Sequence, residues 1–260
     1  MNSPPAIVVR PLAGLPMFAP GMPIVQAICS ALEAEGDGFR DGDICVMAQK
    51  IVSKVEGRAV ELADLTPDRT AEDLARNTGR EPAMAQAILN ESSEILRATP
   101  AAIIARHRTG HVLANAGIDA SNIEGGDTGT VLLWPEDPDV SARTIRAGLQ
   151  AASGKQIAVV IADSMGRAWR IGTVGTAIGC AGLTVLEDRR GRAVDLFGRT
   201  LQATVIAVAD SIAAMGALAM GEGDEGTPVA IVRGAGKWVY DEDGQGAASG
   251  LRPIEQDMFL

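Results

Sequence analysis

Two rhythms of apolar residues run along this chain. Ile24, Ala27, Ile28, Ala31 and Leu32 recur at three- and four-residue spacing, which predicts an amphipathic helix over 22–36. Pro23 suits its first turn and Gly36 its C-terminal cap. The same rhythm predicts helices in "TPDRTAEDLARNTG" and "EPAMAQAILNESSEILR", with Pro67 and Pro82 near their starts. It also predicts one in "SARTIRAGLQAASG", closed by Gly154. Short runs of β-branched and aliphatic residues predict strands instead. They are "AIVVRPL" (6–12), the opening of "GDICVMAQKIVSKVEG" (42–57), "KQIAVVIAD" and "TPVAIVRG" (227–234). "AAIIARHRTGHVLANAGIDASN" (101–122) reads as two strands around a turn at Thr109-Gly110, and "LQATVIAVADSIAAMGALAMG" passes from strand into helix.

These elements mix without strict alternation and include a central hairpin. The pattern predicts an α+β fold with mixed and antiparallel sheets, rather than a regular doubly wound sheet. Residues 1–235 form one unit. From Gly236 to residue 260 the chain turns polar and Gly-rich, and it is expected to be a loosely held tail.

Composition narrows the function classes. The 260 residues are 47% hydrophobic, enough for a sizeable core, and no apolar run approaches a membrane span of about 20 residues. No signal peptide is expected. Cys29, Cys45 and Cys180 are scattered and odd in number, which predicts a reducing, cytoplasmic setting without a zinc knuckle. A net charge of −10 argues against a nucleic-acid partner. It leaves room for a small anion, since a local group of arginines can oppose the global charge.

Several motifs fail on context. "GEGDEG" (221–226) matches a dinucleotide fingerprint, but it lies between helix and strand in the wrong order and carries three carboxylates. "GLQAASGKQ" resembles a phosphate-binding loop, yet it is one residue too long and has Gln156 where a hydroxyl is needed. Gly154 as a helix cap is the better account. His107 and His111 flank a turn that no helix can cross, so they read as exposed hairpin histidines rather than a metal pair.

One constellation survives. Carboxylates fall in three small-residue loops: "NAGIDASN" with Asp119 and Asn122, "ADSMGR" with Asp163 and Ser164, and "MGEGDEG" with Glu222, Asp224 and Glu225. Hard oxygen donors of this kind suit Mg2+ or Mn2+. Ordinary turn chemistry would also place Asp and Asn there. The apolar run 157–162 is expected to end at Asp163-Ser164, with Arg167 and Arg170 just behind. Those arginines, Lys54 and Arg199 are candidates for phosphate oxygens.

Taken together, "AQKIVSKVEGR", "VLANAGIDASN", "VIADSMGRAWRIG", "AIGCAGL", "DLFGRTL" and "MGEGDEGTPVAIVRG" resemble the coenzyme F420:L-glutamate ligase family, from about Gly14 to Gly234. The resemblance implies a GTP-dependent amide ligase. It would join L-glutamate to a carboxylate of the deazaflavin precursor through an acyl phosphate, then extend the tail by γ-linked glutamates. It implies two intertwined lobes in a homodimer and a requirement for Mg2+ or Mn2+, with K+ as a further candidate. Carried over by motif, Asp119, Asp163, Ser164 and Glu222 are metal ligands, and Asp163, Arg167 and Arg170 are catalytic. Nucleotide contacts fall to Leu15, Pro16, Met17, Phe18, Gln49, Lys50, Lys54 and Asn122. Further contacts come from Leu218, Ala219, Met220, Gly221, Glu222, Gly223, Asp224 and Glu225.

The chain departs from the family pattern at several positions. Ser164 stands in place of Thr, and Gln49-Lys50 in place of a Ser-containing pair. Ser211 and Ala217 replace acidic residues, and Phe197 replaces Tyr. Two alternatives stay open on these grounds: a nucleotide- or metal-binding paralogue without ligase activity, and an amide ligase for a different carboxylate.

Overall fold

The computed structural model describes residues 6–258. In chain order its strands are β1 (Val8–Pro11), β2 (Ile44–Ala48), β3 (Ala59–Glu61), β4 (Ser92–Ala98), β5 (Ile103–His107), β6 (Val112–Ala114), β7 (Thr130–Leu132), β8 (Ala158–Arg167), β9 (Arg170–Ala181), β10 (Leu186–Asp188), β11 (Val205–Ala207) and β12 (Val229–Arg233). The α-helices are α1 (Ile24–Ala34), α2 (Gln49–Val55), α3 (Arg69–Thr78), α4 (Pro82–Glu91), α5 (Pro138–Ser153) and α6 (Val208–Met220). The fold is α+β, as the mixed rhythm predicts.

A five-stranded sheet in the order β1-β12-β2-β8-β9 forms the centre. Only β2 and β8 run parallel; their neighbours are antiparallel. Its inner strands are covered on both faces, which is why they read as unbroken apolar runs. Cys45, Met47, Val159, Ile161, Val229 and Ile231 point into one cluster with Ile28 and Leu32 of α1 and Ile145 and Leu149 of α5. Ile44, Val46, Val160, Ala230 and Val232 point the other way, against Ala209, Ile212 and Ala213 of α6. Full burial of a side chain such as Ile161 contributes about 1.5–3 kcal/mol. Helix α6 lies very close to the sheet. A Cβ on Gly216 would come within 2.4 Å of Val46 Cγ1, so that position admits only glycine without rearrangement.

Smaller layers flank this centre. Strands β4, β5 and β6 form an antiparallel sheet, β3 pairs with β7, and β10 pairs with β11. Helices α3 and α4 cover the first of these through Ala71, Leu74, Ala85 and Ile88.

Four expectations are corrected. The segment expected as one helix in "EPAMAQAILNESSEILR" breaks at Ser92, where the backbone turns extended. The Ser92 hydroxyl bonds back to the Ile88 carbonyl, and the rest of the segment becomes β4, paired along β5. Ladder pairing there overrides helical spacing. Next, β8 does not stop at Asp163-Ser164. It continues to Arg167 because β9 supplies a partner at every step, Asp163 opposite Thr176 and Ser164 opposite Gly175.

His107 and His111 are buried rather than exposed. Their rings lie 4.8 and 5.4 Å from the indole of Trp134. The Thr109 hydroxyl bonds the Nδ1 atoms of both, each at 2.9 Å.

Finally, the segment after Gly236 is fastened to the body. Buried Arg146 donates to the carbonyl of Ile157 at 2.8 Å, to Asp243 Oδ1 at 2.7 Å and to the carbonyls of Tyr240 and Asp241. Asp139 accepts from the amides of Cys180, Ala247 and Ala248.

Buried His111 and Glu91 make stability pH-dependent. Burial pushes the His111 imidazole down to about 4, helped by the neighbouring His107. Burial pushes Glu91 up, but hydrogen bonds and charge from His107, Arg108 and Arg58 outweigh it and hold the carboxyl at about 2. Both folded values lie below the unfolded ones, about 6.5 for His and 4.3 for Glu. Both contributions are therefore complete above those values and are lost on acidification. The urea midpoint should be level from pH 8 to 7. Below about pH 6.5 His111 lowers it while Asp163, whose folded carboxyl burial pushes up to about 6, raises it, so the net fall is small until Glu91 titrates below about pH 4.3. His111→Asn should leave Asp163 unopposed, so its midpoint should rise between about pH 6 and 4.5. A His111→Asn profile identical to that of wild type between pH 7 and 4.5 would refute the account.

Candidate active site

Four pieces of chain meet beyond one end of the central sheet: the loop after β6, helix α2, the loop after α6, and β8 where it runs on past β2. The first follows β6 and carries Asn115, Ala116 and Gly117, all in the left-handed region at φ 52°, 51° and 72°. Two non-glycine residues there cost on the order of 1 kcal/mol each, and the turn they make delivers Asp119. Asp119 forms a bridge to Leu132 of β7, and its Oδ1 accepts from the Ser121 amide at 2.6 Å.

Helix α2 supplies the opposing charge. Lys50 and Lys54 are four residues apart and so share a helix face. Lys50 Nζ lies 2.7 Å from Asp119 Oδ2 and donates to Ser121 Oγ at 2.8 Å. Lys54 Nζ donates to the carbonyl of Asn122 at 2.7 Å. Burial, then the charge of Lys50, lowers the Lys54 pKa. Gln49 is buried beneath them; its Oε1 accepts from Ser53 while its Nε2 has no hydrogen-bond partner.

The loop after α6 completes the ring. Asn122 Nδ2 donates to the Gly223 carbonyl at 3.1 Å, and the Ser164 hydroxyl donates to Glu222. Glu225 folds back to accept from the Gly223 amide at 2.8 Å. Its carboxylate fills the space that a Cβ on Gly221 would need.

Asp163 is half-buried against Trp134. Its Oδ1 accepts from the Ser164 amide and its Oδ2 from Trp134 Nε1, both at 2.8 Å. Burial pushes this carboxyl up to about 6; the two hydrogen bonds pull against that, and the charge of Asp119 adds to it. For Asp119 burial acts the same way, but Lys50 and Ser121 prevail and its pKa is lowered. The site thus holds one carboxylate neutralised by an ammonium and a second left electrostatically underserved.

The structure therefore brings together Lys50, Lys54, Asp119, Asn122, Asp163, Ser164, Glu222 and Gly223, with Gln49 beneath. Arg167 and Arg170 are not among them. They pair with each other at the tip of the β8–β9 hairpin, and Arg167 is four strand residues, roughly 13 Å, beyond Asp163. Arg199 is held by Asp195 in an exposed loop.

The 14–21 loop reaches α2 through the Gly21 amide and the Val55 carbonyl. Within it Phe18 is buried, Leu15 half-buried, and Pro16 and Met17 exposed. On α6, Met220 is core, Ala219 half-buried and Leu218 exposed, and Asp224 is exposed in the loop that follows. Of the departures from the family pattern, the Ser211 hydroxyl bonds the Ala207 carbonyl within α6, Ala217 packs where Gly175 passes, and Phe197 is exposed.

Sequence reasoning missed Trp134 and Ser121. A lone tryptophan in the apolar run "VLLWPEDP", in a chain with 3% aromatics, was the available signal.

Among the described residues, no three His, Cys, Asp or Glu side chains are gathered as a ready metal cage. The donor chemistry nonetheless fits a hard cation: a carboxylate and a hydroxyl on β8 and one carboxylate on each of two neighbouring loops, with Asp163 lacking a counter-charge.

Carboxylates from a loop, from β8 and from the loop after α6 gather beside two ammonium groups of α2, a candidate ionic site on an α+β scaffold. The comparisons place that scaffold. A profile described as F420-0:gamma-glutamyl ligase matches residues 14–234. A coenzyme F420:L-glutamate ligase of Methanothermobacter thermautotrophicus is 45% identical over 95% of this chain and 96% of its own. Proteins of the same name from Methanocaldococcus jannaschii and Archaeoglobus fulgidus are 43% and 41% identical, covering 85% and 87% of this chain and 86% and 87% of their own. The chain belongs to the F420-0:gamma-glutamyl ligase family and is a ligase.

Gly117 tests how the site is supported. It is left-handed, and a Cβ there would lie 2.4 Å from Trp134 Nε1. Gly117→Ala should lower stability by about 1–3 kcal/mol through strain and overpacking. It should also shift the Trp134 emission. Wild-type stability and emission would show that the loop yields freely.

Proposed function

We propose that this ligase joins the amine of L-glutamate to a carboxylate of F420-0 at the expense of GTP, and extends the product by γ-linked glutamates. The observation that carries the reading is the ring of contacts Lys54–Asn122–Gly223 and Glu222–Ser164–Asp163. In a chain of this family, it assembles acidic and basic groups from a helix, a strand and two loops.

The chemistry follows from the acceptor. A carboxylate is a poor acyl donor and needs activation, and phosphorylation by the γ-phosphoryl group of GTP gives an acyl phosphate. Attack by the glutamate amine then releases phosphate and forms the amide. Phosphoryl transfer is served mainly by positioning and charge neutralisation. Lys50 and Lys54 are the cations placed to meet phosphate oxygens, in exchange for their present contacts with Asp119 and the Asn122 carbonyl. The unpartnered Gln49 amide is buried, so it reaches a nucleotide only if the residues covering it move. Asp119, Asp163, Ser164 and Glu222 would hold Mg2+ or Mn2+, which when bound offsets phosphate charge. The Gly-rich rim at 221–226 suits a movable edge that excludes water from the acyl phosphate.

Arg167 and Arg170 reach phosphate only if the hairpin arm moves or a neighbouring copy presents its own arm. The arm tip carries Trp169 and Ile171, 91% and 102% exposed, which supports pairing of two copies as a homodimer.

Mass spectrometry of products from GTP, glutamate, Mn2+ and F420-0 tests the reaction. GTP should yield GDP and phosphate only with the acceptor present. AMP with pyrophosphate would exclude this route, and acceptor-independent hydrolysis would favour a plain phosphohydrolase. Asp163→Asn should abolish turnover and keep the fold, because an amide is a poorer ligand for a hard cation. Wild-type turnover would remove Asp163 from the site.

Lys54→Ala should raise the apparent GTP constant by roughly tenfold, equivalent to about 1.4 kcal/mol, with guanine preference retained. An unchanged constant would remove Lys54 from nucleotide binding.

A further inference from the structure

The residue nearest to Asp163 in chemical terms is one that no motif drew attention to. Trp134 is fully buried, and its indole N–H donates to Asp163 Oδ2 at 2.8 Å. An indole N–H is a donor only and cannot move a proton in this chemistry. Its effect on the carboxylate is directional. With Oδ1 held by the Ser164 amide and Oδ2 by Trp134, the carboxylate plane is fixed, and each oxygen keeps one lone pair free.

The indole is itself held from several sides. Gly117 passes over its Nε1–Cε2 edge so closely that a Cβ would be 2.4 Å away. His107 and His111 pack against its ring. Arg58 Nε donates to the Trp134 carbonyl at 2.8 Å, while the Arg58 Nη2 atom is tied to Glu91 at 3.1 and 3.2 Å. A tryptophan needed only for bulk would not require its N–H aimed at a half-buried carboxylate that no cation pairs.

We propose that Trp134 is a positioning residue. It fixes the Asp163 carboxylate for a divalent cation, in the way that outer groups orient metal ligands elsewhere. The inference rests on the metal reading given under the proposed function, and goes beyond it by assigning the group that orients the ligand.

The test separates the two. Mn2+ binding to the full-length protein with GDP is followed by the electron paramagnetic resonance of free Mn2+. Wild type, Asp163→Asn, Trp134→Phe and Trp134→3-benzothienylalanine are compared. The last keeps the shape of the indole and replaces its N–H by sulfur, so it answers the case in which Trp134→Phe does not fold. Trp238→Phe is the control, since Trp238 donates its N–H to Glu187 instead.

Both Trp134 variants should bind Mn2+ roughly tenfold more weakly, within the range for groups that orient metal ligands. In turnover, the Mn2+ activation constant should rise while kcat recovers at saturating Mn2+. Trp238→Phe should match wild type. Wild-type Mn2+ affinity in the benzothienyl variant, with Asp163→Asn defective, would overturn the role of Trp134 and leave the metal reading standing. Wild-type affinity in Asp163→Asn, or no binding by wild type, would overturn the metal reading and the inference with it.

Discussion

Burial of β8 on both faces is the constraint from which the rest follows. Its first residues, Ala158 to Ala162, lie between two core clusters, one lined by α1 and α5 and the other by α6. The strand cannot slip by one residue without exchanging the two sets of side chains. That rigidity carries past the core. The same ladder with β9 continues through Asp163 and Ser164, so a carboxylate and a hydroxyl are placed on opposite faces of a strand whose register is already fixed. A site residue on such an element is better located than one on a free loop.

Much of the fold was legible for the same reason. Strands buried on both faces appear as apolar runs, and α1, α3 and α5 carry clear helical spacing. Gly79 and Gly154 sit in left-handed caps where those positions call for glycine. What could not be read was decided by distant partners. β9 is rich in Gly and Thr and looks like a loop until β8 is placed beside it. Two of its glycines, Gly175 and Gly179, lie where α6 and α5 leave no room for a Cβ. The break at Ser92 depends on β5, and the burial of His107 and His111 depends on a tryptophan more than twenty positions away. The tail after Gly236 looked loose because its anchors, Arg146 and Asp139, lie in α5, where they read as ordinary helix-surface charges.

The candidate site divides in the same way. Carboxylates in small-residue loops were visible one loop at a time, and each alone had a bland turn explanation. Their convergence on Lys50 and Lys54 was not visible, because contacts such as Lys54 to Asn122 and Asn122 to Gly223 span long stretches of chain. Trp134 escaped notice because its N–H, rather than its bulk, is what reaches Asp163.

Charge explains why these loops stay together before any ligand arrives. The chain carries a net −10, and Asp119, Asp163 and Glu222 add acidity at the site. Left alone, they would push the loops apart. Lys50 meets Asp119, Lys54 meets a backbone carbonyl of the same loop, and Glu222 takes the Ser164 hydroxyl. Neither Glu222 nor Asp163 is given a cation, and burial raises the Asp163 pKa. A ligand bringing both phosphate and a divalent cation would satisfy each half of this arrangement at once. The phosphate would draw the ammonium groups, and the cation would take over Asp119, which Lys50 would release. The contacts that hold the rim together are thus the ones such a ligand would exchange, so its binding would be coupled to rearrangement of the rim.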